Sequence, residues 1–541
     1  MKQDDQCKVL CRRSMSAVDF SRFAYMIDGE YVINWLLDSL PAATKHLVQS
    51  EDEDSSIVSE TWIEGFPLGY KLNGKYFINN HASFTVKYHD PEDGERGYRV
   101  VGVDVEPRSL TAKENTESVS ADCSDNSVSL PQELDPNTQS VLFTYDVKWV
   151  RSDVAWASRW DTYLKIKENK IHWFSIINSL LVVFLLTIAI ALVLVRTLHK
   201  DIAKYNSVIM DEESSALEDM SDESGWKLVH GDVFRKPRHS KLLAVFVGSG
   251  VQILFMAFAS LGLAAVGLVS PSNRGQYIQL MLLLFTFMGA VGGFVSARVY
   301  KLFKGEDWKT ATLWTGLIVP GTAFAVFFSL NFLLWYMESS GAVPFSAMAI
   351  ILILWLGIST PLVYVGAYRG YRKPSVELPV RVQHIPRQIP VQPWYTRTIF
   401  SAMMGGILPF GAVSTELVFL MGSIWHHQFY YLFGFLFLVL VILVVTCAEM
   451  SMTMTYFQLS AEDYRWWWRS FLTSAFSGIY IFLYAIIYLS TKLHVIGFVG
   501  VSIYVGYMAL AAFMFFLLTG SVGFLASLFF VRSIYGSIKI D

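Results

Sequence analysis

The chain has 541 residues, of which 53% are hydrophobic and 16% charged, with a formal net charge of −3 and a mean hydropathy of +0.39. Ordinary soluble domains carry roughly 25% charged residues, so this composition excludes a wholly soluble protein. The apolar excess is uneven, because residues 1–172 have soluble character and almost everything after Trp173 is apolar. We therefore expect a soluble domain followed by a membrane domain, 173–531, and a short tail, 532–541.

The first residues, Met1 to Gln6, lack the apolar segment of a secretory signal peptide. Two explanations are open. The first membrane span acts as a reverse signal anchor, or the chain lacks its true N-terminus. We favour the second, which makes domain 1–172 incomplete at its start.

Domain 1–172 is predicted to be β-rich, because runs of β-branched and aromatic residues alternate with turn-forming stretches. These runs are Lys75–Asn79, Phe84–Tyr88, Tyr98–Val105 and Val141–Trp149. They favour an antiparallel sheet or a sandwich. The polar segments 50–60 and 111–138 are predicted to be mobile loops.

Four cysteines are present. Cys7 and Cys11 lie close together in CKVLC, and a bridge between them is plausible in an oxidising compartment, although spacing alone leaves two free thiols possible. Cys123 is isolated in a loop and Cys447 lies in an apolar run. We expect no metal and no cofactor, since no second Cys or His pair has ligand spacing.

The remainder of the chain contains nine runs long enough to cross a membrane, which needs about 20 mostly apolar residues. Their spans are 174–195, 242–269, 277–297, 311–336, 344–367, 398–424, 429–456, 470–490 and 495–530. The last run is interpreted as one tilted or overlong helix, because it contains no charge to seat a turn.

Basic residues fix the predicted orientation, since lysine and arginine near helix ends stay in the cytosol. Connections after odd-numbered spans and the tail hold 22 of them, whereas connections after even-numbered spans hold only Arg274 and Lys492. This asymmetry predicts a cytosolic C-terminus, a lumenal domain 1–172 and a cytosolic loop 196–241 that is acidic over 211–224.

The stretch QLSAEDYRWWWRSF, 458–471, places three tryptophans between two arginines at the start of span eight. Tryptophan is enriched at membrane interfaces. We therefore interpret Trp466, Trp467 and Trp468 as anchors at the cytosolic interface, with Arg465 and Arg469 reaching the lipid headgroups.

Two acids lie inside apolar runs, Glu416 in span six and Glu449 in span seven. A charge there costs at least ~2.5 kcal/mol unless it is paired or hydrated, so each should face the bundle interior or be protonated. One interpretation is an ion, proton or substrate path between the two spans. The alternative, which we favour, is a hydrogen bond between helices to a neighbour such as Thr415 or Tyr456.

Small residues cluster in span three, at Gly289–Gly293, and in span six, at Ser401, Ala402, Gly405 and Gly406. Such residues let helices approach closely in lipid. Packing within this bundle is the simpler interpretation.

Motifs of catalysis are lacking: the sequence has no phosphate-binding glycine loop, no Gly-x-Ser-x-Gly and no His-Glu-x-x-His. The pair His426-His427 is interpreted as a polar cap at the lumenal end of span six rather than a metal site. We therefore expect no enzyme.

Several motifs together resemble the transmembrane 9 superfamily, the nonaspanins. They are QLSAEDYRWWWRSF, GWKLVHGDVFRKP (225–237), HWFSIINS (172–179), LPFGAVSTELVFLMGSIW (408–425) and the ending Lys539-Ile-Asp541. The resemblance spans nearly the whole chain. It implies a lumenal domain, nine membrane helices and residence in Golgi and endosomal membranes. This sequence departs from the family pattern at its start, where a signal peptide and a longer lumenal segment are expected.

The resemblance also implies partners. Family members are implicated in sorting membrane cargo whose helices are glycine-rich or polar, and their Lys-x-Asp ending binds the COPI coat. We therefore expect the lipid bilayer, such cargo and, through Lys539 and Asp541, COPI as partners, and no nucleic acid. The alternative function is an ion or small-molecule transporter or channel that uses Glu416 and Glu449.

Overall fold

A computed structural model describes most of the chain. The described residues are 4–38, 40–49, 58–90, 97–111, 131–136, 140–156, 159, scattered positions from 177 to 199, 225–268, 276–339, 341–425, 433–493, 495 and 497–536. The chain forms two compact units. One comprises Met1–Ile171 with Gly422–Phe429, and the other comprises His172–Met421 with Tyr430–Asp541.

The first unit is β-rich, as predicted. Its strands are β1 Asp5–Ser14, β2 Val32–Ile33, β3 Leu36–Leu37, β4 Leu40–Pro41, β5 Ala43–Gln49, β6 Val58–Glu64, β7 Phe66–Pro67, β8 Gly69–Leu72, β9 Lys75–Ile78, β10 His81–His89, β11 Arg99–Arg108, β12 Glu133–Leu134 and β13 Ser140–Arg151. The main sheet has the order β1-β13-β10-β11-β5-β6. All four predicted strands are confirmed, as β9, β10, β11 and β13.

The main sheet is mixed, which differs from the antiparallel sheet that was one of the two predicted arrangements. Strand β10 pairs with β13 in parallel, and β11 pairs with β5 in parallel. An alternating pattern defines which face of a strand is buried but carries no information about its neighbour. Of the predicted loops, 50–57 and most of 111–138 lie outside the described residues, whereas 58–60 belong to β6.

A helix missed by the sequence analysis, α1 (Ala17–Asp28), packs beside these strands. Ser16 and Asp19 form a capping box at its start. At its end, hydrogen bonds from Tyr76 and Lys71 lower the pKa of the Asp28 carboxyl. The Ser-x-x-Asp spacing was therefore a readable signal for this helix.

The predicted Cys7–Cys11 bridge is wrong. Cys7 is disulfide-bonded, whereas Cys11 is an exposed free thiol. Both residues belong to β1, whose pairing with β13 is irregular between Asp5 and Lys8 and between Val9 and Cys11. Cys447 is free and buried, as its apolar surroundings indicated, and Cys123 lies outside the described residues.

The second unit is a helix bundle. Its described helices are α2 Ser240–Ala265, α3 Gln276–Leu302, α4 Trp308–Tyr336, α5 Phe345–Arg372, α6 Thr398–Trp425, α7 Phe433–Ser460, α8 Trp466–Thr491 and α9 Phe498–Gly536. They correspond to predicted spans two to nine. Within the described residues, seven are long and apolar enough to cross a membrane, and α6 contributes a shorter apolar stretch, Thr398–Ser414.

Two features of the predicted spans can be compared directly. The long final run is a single helix of 39 residues, α9, which confirms its interpretation as one overlong span. Predicted span one, 174–195, lies largely outside the described residues, but its described positions are helical.

Glycines allow the closest helix contacts in the bundle. A Cβ atom on Gly293 of α3 would lie 2.1 Å from the carbonyl oxygen of Val363, and one on Gly366 of α5 would lie 1.9 Å from that of Ala290. Gly405 and Gly406 of α6 meet Thr473 and Phe476 of α8 in the same way. The interpretation of these clusters as packing surfaces within the bundle is therefore confirmed.

Candidate functional site

Connections between helices form a hydrogen-bonded group at one end of the bundle. We call it the loop cluster and define it as residues 225–238 before α2, 373–397 between α5 and α6, and 461–465 between α7 and α8. The end of α9 joins it, since the Tyr535 hydroxyl donates to the Trp226 carbonyl at 2.6 Å. Tyr535 is 1% exposed, and its ring meets that of Trp226 edge to face.

Three indole N–H groups attach the start of α8 to segment 225–238. Trp466 donates to the carbonyl of Val233 at 2.8 Å, Trp467 to that of Arg235 at 2.9 Å and Trp468 to that of Arg238 at 2.7 Å. The rings of Trp466 and Trp467 stack with centroids 4.0 Å apart. Three consecutive tryptophans therefore donate to three carbonyls of one neighbouring segment.

The interpretation of these tryptophans as lipid anchors is wrong for two of them. Trp466 is 0% and Trp467 2% exposed, whereas Trp468 is half-buried. A buried indole needs an acceptor for its N–H, and the carbonyls of segment 225–238 supply it. The sequence pattern misled because a protein interior and a lipid interface both accommodate an aromatic ring with one polar atom.

The two arginines behave differently from each other. Arg469 is buried, so it does not reach headgroups; it donates to the Thr396 carbonyl and lies 3.7 Å from Asp463. Arg465 keeps an exposed side chain, with its Nε 3.4 Å from the Asp463 carboxylate. Asp463 therefore neutralises charge on both sides of the tryptophans.

Asp232 connects two parts of the loop cluster and was missed by the sequence analysis. Its buried carboxylate accepts from Arg235 Nε at 2.9 Å and from the backbone N–H of Arg387 at 2.9 Å. Gln383 adds a backbone bond to the Gly231 carbonyl at 2.9 Å. The available signal was the Asp-x-x-Arg spacing in GWKLVHGDVFRKP, which places opposite charges one turn apart.

Glu449 faces the bundle interior, as predicted, and is 8% exposed. Its Oε1 lies 2.6 Å from the hydroxyl of Thr187 in predicted span one. The favoured interpretation, a hydrogen bond between helices, is therefore confirmed for Glu449, although the partner is neither Thr415 nor Tyr456. The Glu416 side chain lies outside the part of the chain that the structure describes, so the predicted pairing of the two acids stays a prediction.

Thr187 has one hydroxyl proton and two acceptors within reach, Glu449 and the carbonyl of Val183 at 2.9 Å. It cannot donate to both at once. The Thr187 hydroxyl therefore lies between the Glu449 carboxyl of α7 and a carbonyl of its own span.

Several predicted site residues lie outside the described part of the chain. They are Lys539, Asp541, His426 and His427. Among the residues that are described, no group of three or more His, Cys, Asp or Glu side chains could hold a metal ion.

A buried polar group in the β-rich unit has the residue types of a hydrolase triad but not the geometry. His81 Nε2 lies 3.1 Å from both Ser83 Oγ and Asp146 Oδ2, and its Nδ1 lies 2.8 Å from Thr144 Oγ1. In a triad the nucleophile and the acid bind opposite ring nitrogens. Here both share Nε2, so the group links strands β10 and β13 rather than activating the serine.

The fold and the loop cluster define a multispanning membrane protein with a β-rich domain ahead of its helices. The model of the endomembrane protein 70 family matches residues 1–498. The chain belongs to this family, whose curated members carry the name transmembrane 9 superfamily.

Relatives match along the whole chain. Transmembrane 9 superfamily member 9 of Arabidopsis thaliana is 46% identical, with 100% of this chain and 85% of the relative covered. Member 4 of Homo sapiens is 45% identical, covering 100% and 86%, and member 2 of Rattus norvegicus is 40% identical, covering 100% and 83%. No solved structure matches the chain.

We expect Trp466→Phe to lower the free energy of unfolding by about 1–3 kcal/mol, because it leaves the buried Val233 carbonyl without a donor. Trp468→Phe is the matched control, since water can replace a bond at a half-buried position. Thermal unfolding of the purified proteins in detergent measures both. Equal losses for the two variants would contradict the role assigned to burial.

Proposed function

We propose that the protein binds and sorts membrane cargo in Golgi and endosomal membranes and has no catalytic activity. Membership in the transmembrane 9 superfamily is the observation that carries this proposal. The His81 geometry supports the non-catalytic part. The orientation proposed from the basic residues places the loop cluster and the C-terminus in the cytosol.

Cargo recognition is proposed at α6. Exposed Met403, Met404 and Ile407 flank the close contact that Gly405 and Gly406 make with α8. Methionine side chains adapt to surfaces of different shape, which suits a helix that must bind several partners. Glycine-rich or polar cargo helices can approach such a surface closely.

Cells lacking this protein should fail to deliver a reporter with one glycine-rich membrane helix, whereas a matched reporter with a polyleucine helix should arrive normally. Surface labelling of both reporters measures delivery. Wild-type protein should restore the first reporter, and a variant with Met404→Ala and Ile407→Ala should restore it less. Equal delivery of both reporters in the deficient cells would contradict the sorting proposal.

We propose that the C-terminal tail carries the signal that retains the protein in the Golgi. Lys539 offers one cation, and Asp541 offers its side chain and the terminal carboxylate, a pattern that a charged groove of the COPI coat can bind through paired hydrogen bonds.

We expect Lys539→Ala, or extension of the chain beyond Asp541, to release the protein from the Golgi toward endosomes, lysosomes or the cell surface. Imaging of the tagged protein and coat binding by tail peptides measure this. Ile540 provides the control, since Ile540→Val leaves the Lys539 cation and both carboxylates of Asp541 in place. Unchanged residence together with undiminished coat binding would show that the motif is not the address.

A transporter or channel is the second candidate. The observation that supports it is the Glu449 carboxyl group, which lies in the bundle interior beside Thr187. We regard it as less favoured, because that carboxyl is hydrogen-bonded to another helix.

In proteoliposomes we expect no ion flux that depends on Glu449. Glu449→Gln should keep nearly wild-type thermal stability, because the amide oxygen still accepts from the Thr187 hydroxyl. Thr187→Val should destabilise the protein by about 1–3 kcal/mol, because it leaves a buried polar group unpaired. A wild-type flux that Glu449→Gln abolishes in a folded protein would establish the transporter instead.

A further inference from the structure

Segment 377–397 of the loop cluster is an extended strip, which we call the proline belt. Prolines at 379, 386, 390 and 393 fix φ and disfavour helix at the residue before each of them. Apart from a single 3-10 turn, Trp394–Thr396, it contains no helix or strand. Pro393 has φ −63° and ψ 158°, close to polyproline II geometry.

One side of the belt is hydrogen-bonded to the rest of the loop cluster. The backbone N–H of Gln383 donates to Gly231, and that of Arg387 donates to Asp232. Farther along, the Gln392 amide donates to the Ala461 carbonyl at 2.8 Å. The belt is therefore held in place by these hydrogen bonds together with Leu378 and Val380, which pack against the core of the bundle.

The other side carries exposed apolar side chains. Ile385 is 80%, Val391 101% and Trp394 65% exposed, and Val382 is also exposed. Val382, Ile385 and Val391 are three and six residues apart, the spacing of residues on one side of a polyproline II chain. The backbone bends at 384–385, and Trp394 begins the 3-10 turn, where its ring lies 4.8 Å from that of Phe400. Single exposed apolar residues are ordinary, but a series of them on a fixed backbone suits a partner.

Segment 225–238 lies between this part of the belt and α8. Its carbonyls at Val233 and Arg235 accept from the tryptophans, whereas Gly231 and Asp232 bind the belt. The belt near Ile385 is therefore bonded to a loop segment rather than directly to α8. This arrangement favours a soluble protein over the bilayer as the occupant.

The belt also carries a recognisable pattern of charge and proline. Arg387-Gln-Ile-Pro-Val-Gln-Pro393 places prolines three and six residues after a basic residue, and Pro390-x-x-Pro393 is the spacing that aromatic-lined grooves bind. Arg387 is itself bonded to Leu228 and Glu462. Arg381 and Arg397 are exposed and leave the belt basic, which complements an acidic groove rim.

We propose that residues 381–394 are a docking strip for a soluble protein module whose aromatic-lined groove, with an acidic rim, binds extended proline-rich peptides. Residues 386–393 contain no helix, strand or bend and are held by hydrogen bonds from Arg387 and Gln392, so less conformational entropy is lost on binding than for a disordered peptide. This inference is independent of the proposed cargo and tail functions.

The test uses full-length fluorescent protein in nanodiscs against an array of purified SH3, WW and EVH1 domains. At least one domain should bind, and Val391→Ser or Ile385→Ser should weaken that binding about tenfold, as expected when a central interface side chain is truncated. Val266→Ser is the matched control, because Val266 is a 77% exposed valine outside the belt. A synthetic peptide of residues 378–397 should compete.

Thermal unfolding separates loss of binding from loss of fold, and the peptide competition does not depend on the variants folding. Absence of binding to every domain, or binding that neither the belt variants nor the peptide reduces, would overturn the proposal. Belt-dependent self-association in light scattering, or quenching of Trp394 fluorescence by brominated lipids, would overturn it in favour of a second copy or the bilayer.

Discussion

Three hydrogen bonds from consecutive indole N–H groups to the carbonyls of Val233, Arg235 and Arg238 hold the loop end of the bundle together. They attach α8 to the segment that leads into α2. In the same segment, the Asp232 carboxylate accepts a hydrogen bond from the backbone N–H of Arg387, and the Trp226 carbonyl accepts one from the Tyr535 hydroxyl of α9. Four regions far apart in sequence therefore depend on one row of buried donors and acceptors.

The same principle separates the two functional candidates. A path for ions needs polar groups with unused hydrogen-bonding capacity. Most described hydroxyl groups of α7, α8 and α9 donate to backbone carbonyls, a few pair with each other, and Ser460 at the end of α7 is an exception. Ser451 pairs with Ser474 at 2.6 Å, and Thr455 pairs with Ser527 at 3.1 Å. Such bonds rigidify helix contacts in lipid, where an unpaired polar group is costly. A rigid bundle with adaptable outer surfaces is better suited to carrying other helices than to conduction.

The sequence predicted most of the architecture, because hydrophobic run length and strand alternation report directly on burial. The four runs from Lys75 to Trp149 are strands, and spans two to nine are helices. The sequence could not predict which residue, strand or surface each of these features contacts. Apolar character does not reveal whether Trp466 contacts lipid or protein. Alternation does not reveal that β10 pairs with β13 in parallel. Proximity in sequence suggested Cys11 as the partner of Cys7, but both lie in one strand and Cys11 is free.

The length of α9 links the membrane span to the loop cluster. Its 39 residues extend about 58 Å, nearly twice the thickness of a hydrocarbon core, and no proline interrupts them. A helix of this length either tilts strongly or continues beyond the hydrocarbon layer. Because Tyr535 near its end donates to Trp226, one continuous helix supplies both a candidate membrane span and a contact within the loop cluster.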